Sequence, residues 1–115
     1  MKGRHISILL KEILDNINRI RQLTNAVTYE ELLDDDTKYI AIVECIKKIS
    51  AAVEQIPTIA RVKQTLIPWN TLAGLTGAIS RPDLGTNPEV VWKMATEYLP
   101  GLKSRIEQMY DEFST

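Results

Sequence analysis

The strongest constraint on this chain is the spacing of its apolar residues, which recur at steps of three and four over most of its length. From Arg4 to about Asn25, Ile6, Leu9, Leu10, Ile13, Ile17 and Ile20 keep that rhythm while Lys11, Asp15, Asn18 and Arg21 fall between them. Such spacing makes one face of a 3.6-residue helix apolar. A second stretch, from about Thr37 to Ile56, repeats the pattern through Tyr39, Ile42, Val43, Ile46, Ile49, Val53 and Ile56, with Pro57 closing it. Strand-like alternation bounded by turn signals is absent, as are internal repeats and low-complexity tracts. The chain is therefore predicted to be all-α, an up-and-down antiparallel bundle of four to five helices joined by short connections. Its 115 residues suffice for one hydrophobic core and not two, so 1–115 reads as a single domain.

Local signals place the boundaries. Thr28-Tyr29-Glu30-Glu31 has the capping-box spacing, which predicts a short helix near Tyr29 to Leu33. Asp34, Asp35 and Asp36 suit the positive end of the next helix dipole and read as a solvated helix start rather than a metal site. Ile67-Pro68-Trp69-Asn70 opens a third, shorter helix carrying Leu72, Leu75 and Ile79, which must stop before Pro82. Asn87-Pro88-Glu89 supplies an N-cap, a first-turn proline and a dipole-matched acid for a helix bearing Val91, Met94, Ala95 and Tyr98. Pro100-Gly101 is expected to kink this helix without ending it, and Leu102, Ile106, Met109 and Phe113 continue the apolar stripe.

Composition narrows function mainly by exclusion. A net charge of −1 offers no overall positive field for nucleic acid or an anionic membrane. No apolar run approaches the roughly 20 residues of a membrane span. A lone Cys45, with no signal-peptide pattern at the N-terminus, suits a reducing cytoplasm. One histidine, His5, and one cysteine cannot assemble a His/Cys zinc site, so no metal and no cofactor are expected. His5 at the start of a helix is a poor place for a preorganised nucleophile–base pair, and no glycine-rich phosphate loop occurs. The carboxylates of Glu30, Glu31 and Asp34 to Asp36 lie in polar company and read as solvated. Lys47, Lys48, Arg61, Lys63 and Arg81 read as an ordinary surface distribution, and Trp69 and Trp92 as packing residues.

Five segments in this order resemble the HepT-like group of HEPN-domain proteins, the toxin half of toxin–antitoxin pairs whose other half is a minimal nucleotidyltransferase. They are ILLKEILDNINRI, TYEELLDDD, AIVECIKKISAAVEQIP, IPWNTLAGL and NPEVVWKMATEYLPGLKSRI. The resemblance covers nearly the whole chain and implies a dimeric helical bundle with metal-independent ribonuclease activity. It also implies a motif of an Arg, four to six residues, a His, one residue and a Tyr, with Asn commonly after the Arg, following the Gly-Leu after the IPW element. Here Gly74-Leu75 is followed by Thr76 where Arg is expected, Gly77 for Asn, Arg81 for His and Asp83 for Tyr. His5 has no Arg the required distance before it, so no version of the motif can be placed.

The leading expectation is a cytoplasmic HepT-like protein of a toxin–antitoxin-type module, RNA-associated, whose ribonuclease activity is lost with its motif. Arg81 is the candidate RNA- or anion-binding group, at the mouth of a cleft formed by residues 76–87. A homodimer is expected through small residues of the second long helix, Ser50 and Ala51, and a minimal nucleotidyltransferase is the expected antitoxin partner. Two readings compete: a divergent ribonuclease using Arg81, Asp83 and Ser80 across a dimer cleft, and a non-catalytic scaffold for the nucleotidyltransferase.

Overall fold

The structure, a computed structural model, describes residues 2–82 and 85–114, with side chains from His5 onward. Its order is α1 (Lys2–Thr24), α2 (Tyr29–Leu33), α3 (Asp36–Glu54), α4 (Thr58–Arg61), α5 (Trp69–Ala73), α6 (Leu75–Ile79), β1 (Ser80–Arg81), β2 (Gly85–Thr86), α7 (Pro88–Lys93), a π-helical turn (Met94–Tyr98) and α8 (Leu99–Ser114). The long helices form an all-α bundle in which α1 packs between α3 and α8. The apolar stripe of α1 is buried from Ile6 to Ile20, with Leu14 added to the residues its spacing singles out. It meets Ile42, Ile46, Ile49 and Val53 of α3 and Leu102, Ile106 and Met109 of α8 in one core. Fully burying each such side chain contributes about 1.5–3 kcal/mol.

The caps expected at Thr28 and Asn87 form, and Asp35 adds one that the sequence does not single out. Thr28 Oγ1 accepts from the Glu31 amide at 3.1 Å while Glu31 Oε1 accepts from the Thr28 amide at 3.0 Å. Asp35 Oδ1 takes the Lys38 amide at 3.0 Å, so the aspartate run caps α3. Asn87 Oδ1 accepts from the amides of Glu89 and Val90.

Three details depart from the sequence reading. The segment after Pro57 contains a further short helix, α4, with Pro57 as its N-cap. The third helix is two: Gly74, at φ −91° and ψ 6°, lies in the sparsely allowed bridge region and separates α5 from α6. After α6 the chain forms a two-residue antiparallel ladder, Ser80 opposite Thr86 and Arg81 opposite Gly85, where no strand was expected. Two residues are too few for a periodicity of two to register, and Gly85 at φ 81° supplies the left-handed backbone that the turn needs. Past Pro100 the helix continues, as expected, but the adjustment takes the form of the π turn, in which the Leu99 amide reaches Met94 O. Proline has no amide hydrogen and its ring crowds the carbonyl four residues back, and the wider turn falls in the residues that lead up to it.

Candidate functional site

The segment that the resemblance sets against the family's motif lies within residues 74–87, and its shape is set by three anchors. Leu75 and Ile79 are fully buried and hold α6 against α3 and α7. The Asn87 amide donates to Ile79 O at 2.7 Å, closing the base of the hairpin. Tyr39 on α3 shares a 2.6 Å hydroxyl hydrogen bond with Thr86 Oγ1, which fastens β2 to the bundle. Neither Tyr39 nor Thr86 stands out in the sequence as a site residue, because a bond across 47 positions leaves no periodic trace.

On this frame Thr76, Gly77, Ala78, Ser80 and Arg81 are all exposed. A Cβ at Gly77 would meet nothing within 4 Å, so larger side chains have room there. Ser80 Oγ donates to Thr76 O at 2.6 Å, which engages its proton with a helix carbonyl and leaves it unprepared as a nucleophile. Among the described residues no carboxylate pairs with Arg81. Asp83, which the resemblance sets against the family's tyrosine, lies outside the described residues. His5 is exposed on the opening turns of α1, a helix packed chiefly on α3, α8 and the π turn. The structure thus gathers Thr76, Gly77 and Arg81 on one surface segment and leaves the imidazole on another element.

The neighbouring surface is aromatic and acidic. The rings of Tyr29 and Trp92 lie 5.9 Å apart at an interplanar angle of 56°. The Tyr29 phenol is pushed above its usual 10.0 by loss of solvent, and further by the charges of Glu89, Tyr39 and Glu30. Arg81 supplies the one positive charge in the sequence from Gly74 to Asn87. Its guanidinium can hold a phosphate in a two-pronged contact but, having donors only and no lone pair to offer, is no general base.

The other residues singled out by sequence fall elsewhere. Ser50 is buried and donates to Ala73 O at 2.6 Å, so it is spent on the crossing of α3 and α5 within the chain. Ala52 is buried beside it, and Ala51 is the exposed member of the trio. Arg61 donates through Nε to Ile56 O at 2.9 Å and through Nη2 to Val53 O at 2.8 Å, satisfying the carbonyl end of α3. That removes it from any basic surface patch shared with Lys47, Lys48, Lys63 and Arg81. Trp69 is buried with its indole N–H between Arg61 O and Gln64 O, and Trp92 is half-buried. Among the described residues no cluster of His, Cys, Asp or Glu could hold a metal ion. Among the described residues no helix is long and apolar enough to cross a membrane.

The fold puts the chain in the class of small all-α bundle proteins. Residues 13–109 match the sequence profile of the HepT-like ribonucleases, and the chain belongs to that family. Two Methanocaldococcus jannaschii proteins, both provisionally named RNases, are 30% and 29% identical over 109 residues, which is 95% of this chain and 90% and 94% of theirs. A Thermococcus cleftensis protein named probable ribonuclease HepT is 27% identical over 95% of this chain and 98% of its own length. No solved structure matches the chain.

Proposed function

We propose that this chain keeps the HepT-like scaffold and an association with RNA but has lost the ribonuclease chemistry, acting as a dimer in a cytoplasmic toxin–antitoxin-type module with a minimal nucleotidyltransferase partner. One observation carries the reading: the exposed segment after Gly74-Leu75 offers Thr76, Gly77 and Arg81 where Arg, Asn and His are needed, while the sequence's one imidazole, His5, sits on α1. Cleavage of RNA by its own 2′-hydroxyl needs a base to take that proton and an acid to protonate the departing 5′-oxygen. An imidazole does both near neutral pH. Arg81 can neutralise the phosphate and nothing more.

Support for the dimer comes from large apolar side chains left in solvent, among them Ile8 and Ile40 on the two longest helices, 60% and 61% exposed. The decisive assay compares RNA cleavage by the native protein with that by the Thr76→Arg, Arg81→His, Asp83→Tyr triple variant. The native protein should be silent and the variant should gain activity. Native cleavage abolished by Arg81→Ala would overturn the proposal in favour of a divergent nuclease. RNA binding absent at low salt would leave a scaffold for the nucleotidyltransferase.

A further inference from the structure

Where α1 ends against the π turn, two adjoining hollows share the side chains of Arg21 and Asn25. One has a volume of about 430 Å³ and reaches Thr96, and the other, about 460 Å³, reaches Asn18, Gln22 and Lys103. Together they present a guanidinium, an ammonium, three carboxamides and two hydroxyls, the hydroxyls of Thr24 and Thr96 already donating to Ile20 O and Trp92 O, and no carboxylate lines either one. In a sequence with 15 acidic and 14 basic residues, a double hollow lined by donors without an acid is a selective arrangement. Among the described residues no carboxylate forms an ion pair with Arg21 or Lys103. The negative end of the α1 dipole accounts for Arg21 in its last turn, but not for Lys103, which comes from α8.

We propose that this double hollow binds a phosphate group. Arg21 supplies a planar fork matched to two phosphate oxygens, Lys103 a second positive charge, and the carboxamide N–H groups the remaining donors. The site is separate from Arg81, since its walls are α1, the π turn and α8, whereas Arg81 stands on the hairpin before α7. The phosphate can belong to an RNA backbone or to a small phosphorylated molecule. The first source rests on the RNA association proposed above, and the second does not.

Isotope-labelled full-length protein titrated with inorganic phosphate, at ionic strength held constant with chloride, tests the site. Saturable amide shifts are expected around Arg21 to Asn25 and at Thr96, with affinity about tenfold lower or worse in the Arg21→Ala, Lys103→Ala double variant. Arg21 is exposed and Lys103 half-buried, so this variant should keep its helical circular dichroism. Shifts scattered over the surface, or equal in both proteins, would overturn the proposal. A second arm measures a labelled single-stranded RNA by anisotropy over a range of salt. If the phosphate is RNA's, the double variant loses about 0.7 from the log–log salt slope, the value for one phosphate contact on a single strand. If phosphate binds and RNA affinity is unchanged, the site takes a small phosphorylated ligand, and the RNA reading stands or falls on Arg81→Ala alone.

Discussion

Thr28 and Glu31 satisfy two backbone donors of α2 reciprocally, and the exchange leaves an electrostatic mark. Hydrogen bonds from the Thr28 amide and hydroxyl favour the carboxylate form, holding Glu31 below its usual 4.5. A carboxyl whose folded value is depressed stabilises the fold above its unfolded value, and that contribution disappears as pH falls through the folded one. Urea midpoints taken from about pH 6 to pH 3 should therefore drop less in Glu31→Gln than in the native chain. At neutral pH Thr28→Ala should cost about 1 kcal/mol in the same experiment. Identical pH profiles for native and Glu31→Gln proteins would show that the box carries no charge-dependent stability. This cap was legible because its four residues are contiguous. Arg61 was not, since its role as a donor to Val53 O and Ile56 O depends on how α4 turns back toward the end of α3.

At the scale of elements, the crossing of α3 with α5 depends on the small residues Ser50 and Ala52, which admit the backbone of α5. Ser50→Ala removes the donor to Ala73 O and should destabilise by about 1–2 kcal/mol, with no change in the α-helical signal. Ser50→Leu adds volume where a backbone already sits and should cost more, about 1–3 kcal/mol beyond the lost hydrogen bond. Thermal unfolding of the two variants checks the order, and a Leu variant as stable as native would mean the crossing is looser than it looks. The small residues advertised a close approach in the sequence, but periodicity does not say whose backbone approaches. The break at Gly74 and the ladder after Ile79 were hidden for a related reason: each is a local backbone choice made to let Leu75 and Ile79 reach the core.

For the whole molecule, the open question of surface is apolar. Ile59, Val62 and Leu66, at 62–70% exposure, add to Ile8 and Ile40 as large side chains outside the core. A homodimer that covers part of this surface is expected, and sedimentation should give twice the 13.0 kDa mass of one chain at micromolar concentration. Ala51→Arg, on the exposed side of α3, should shift the population to monomer without loss of helix, because an arginine there would bring like charges together across a two-fold axis. A native monomer at micromolar concentration would sink the dimer, and an Ala51→Arg dimer would move the interface to another face.

By itself the sequence determined the helical class, the three long rods and their buried stripes, the caps at Thr28 and Asn87, and the kinship with HepT-like ribonucleases. All of these are written in spacings of three or four residues or in short contiguous motifs, and local backbone geometry translates them directly. Tertiary structure alone decided that Ser50 is spent inside the chain, that Tyr39 holds Thr86 and so fixes the hairpin carrying Arg81, and that Arg21 and Lys103 share one hollow though 82 positions apart. Those outcomes join residues distant in the chain, and which distant residues meet is set by how the helices pack.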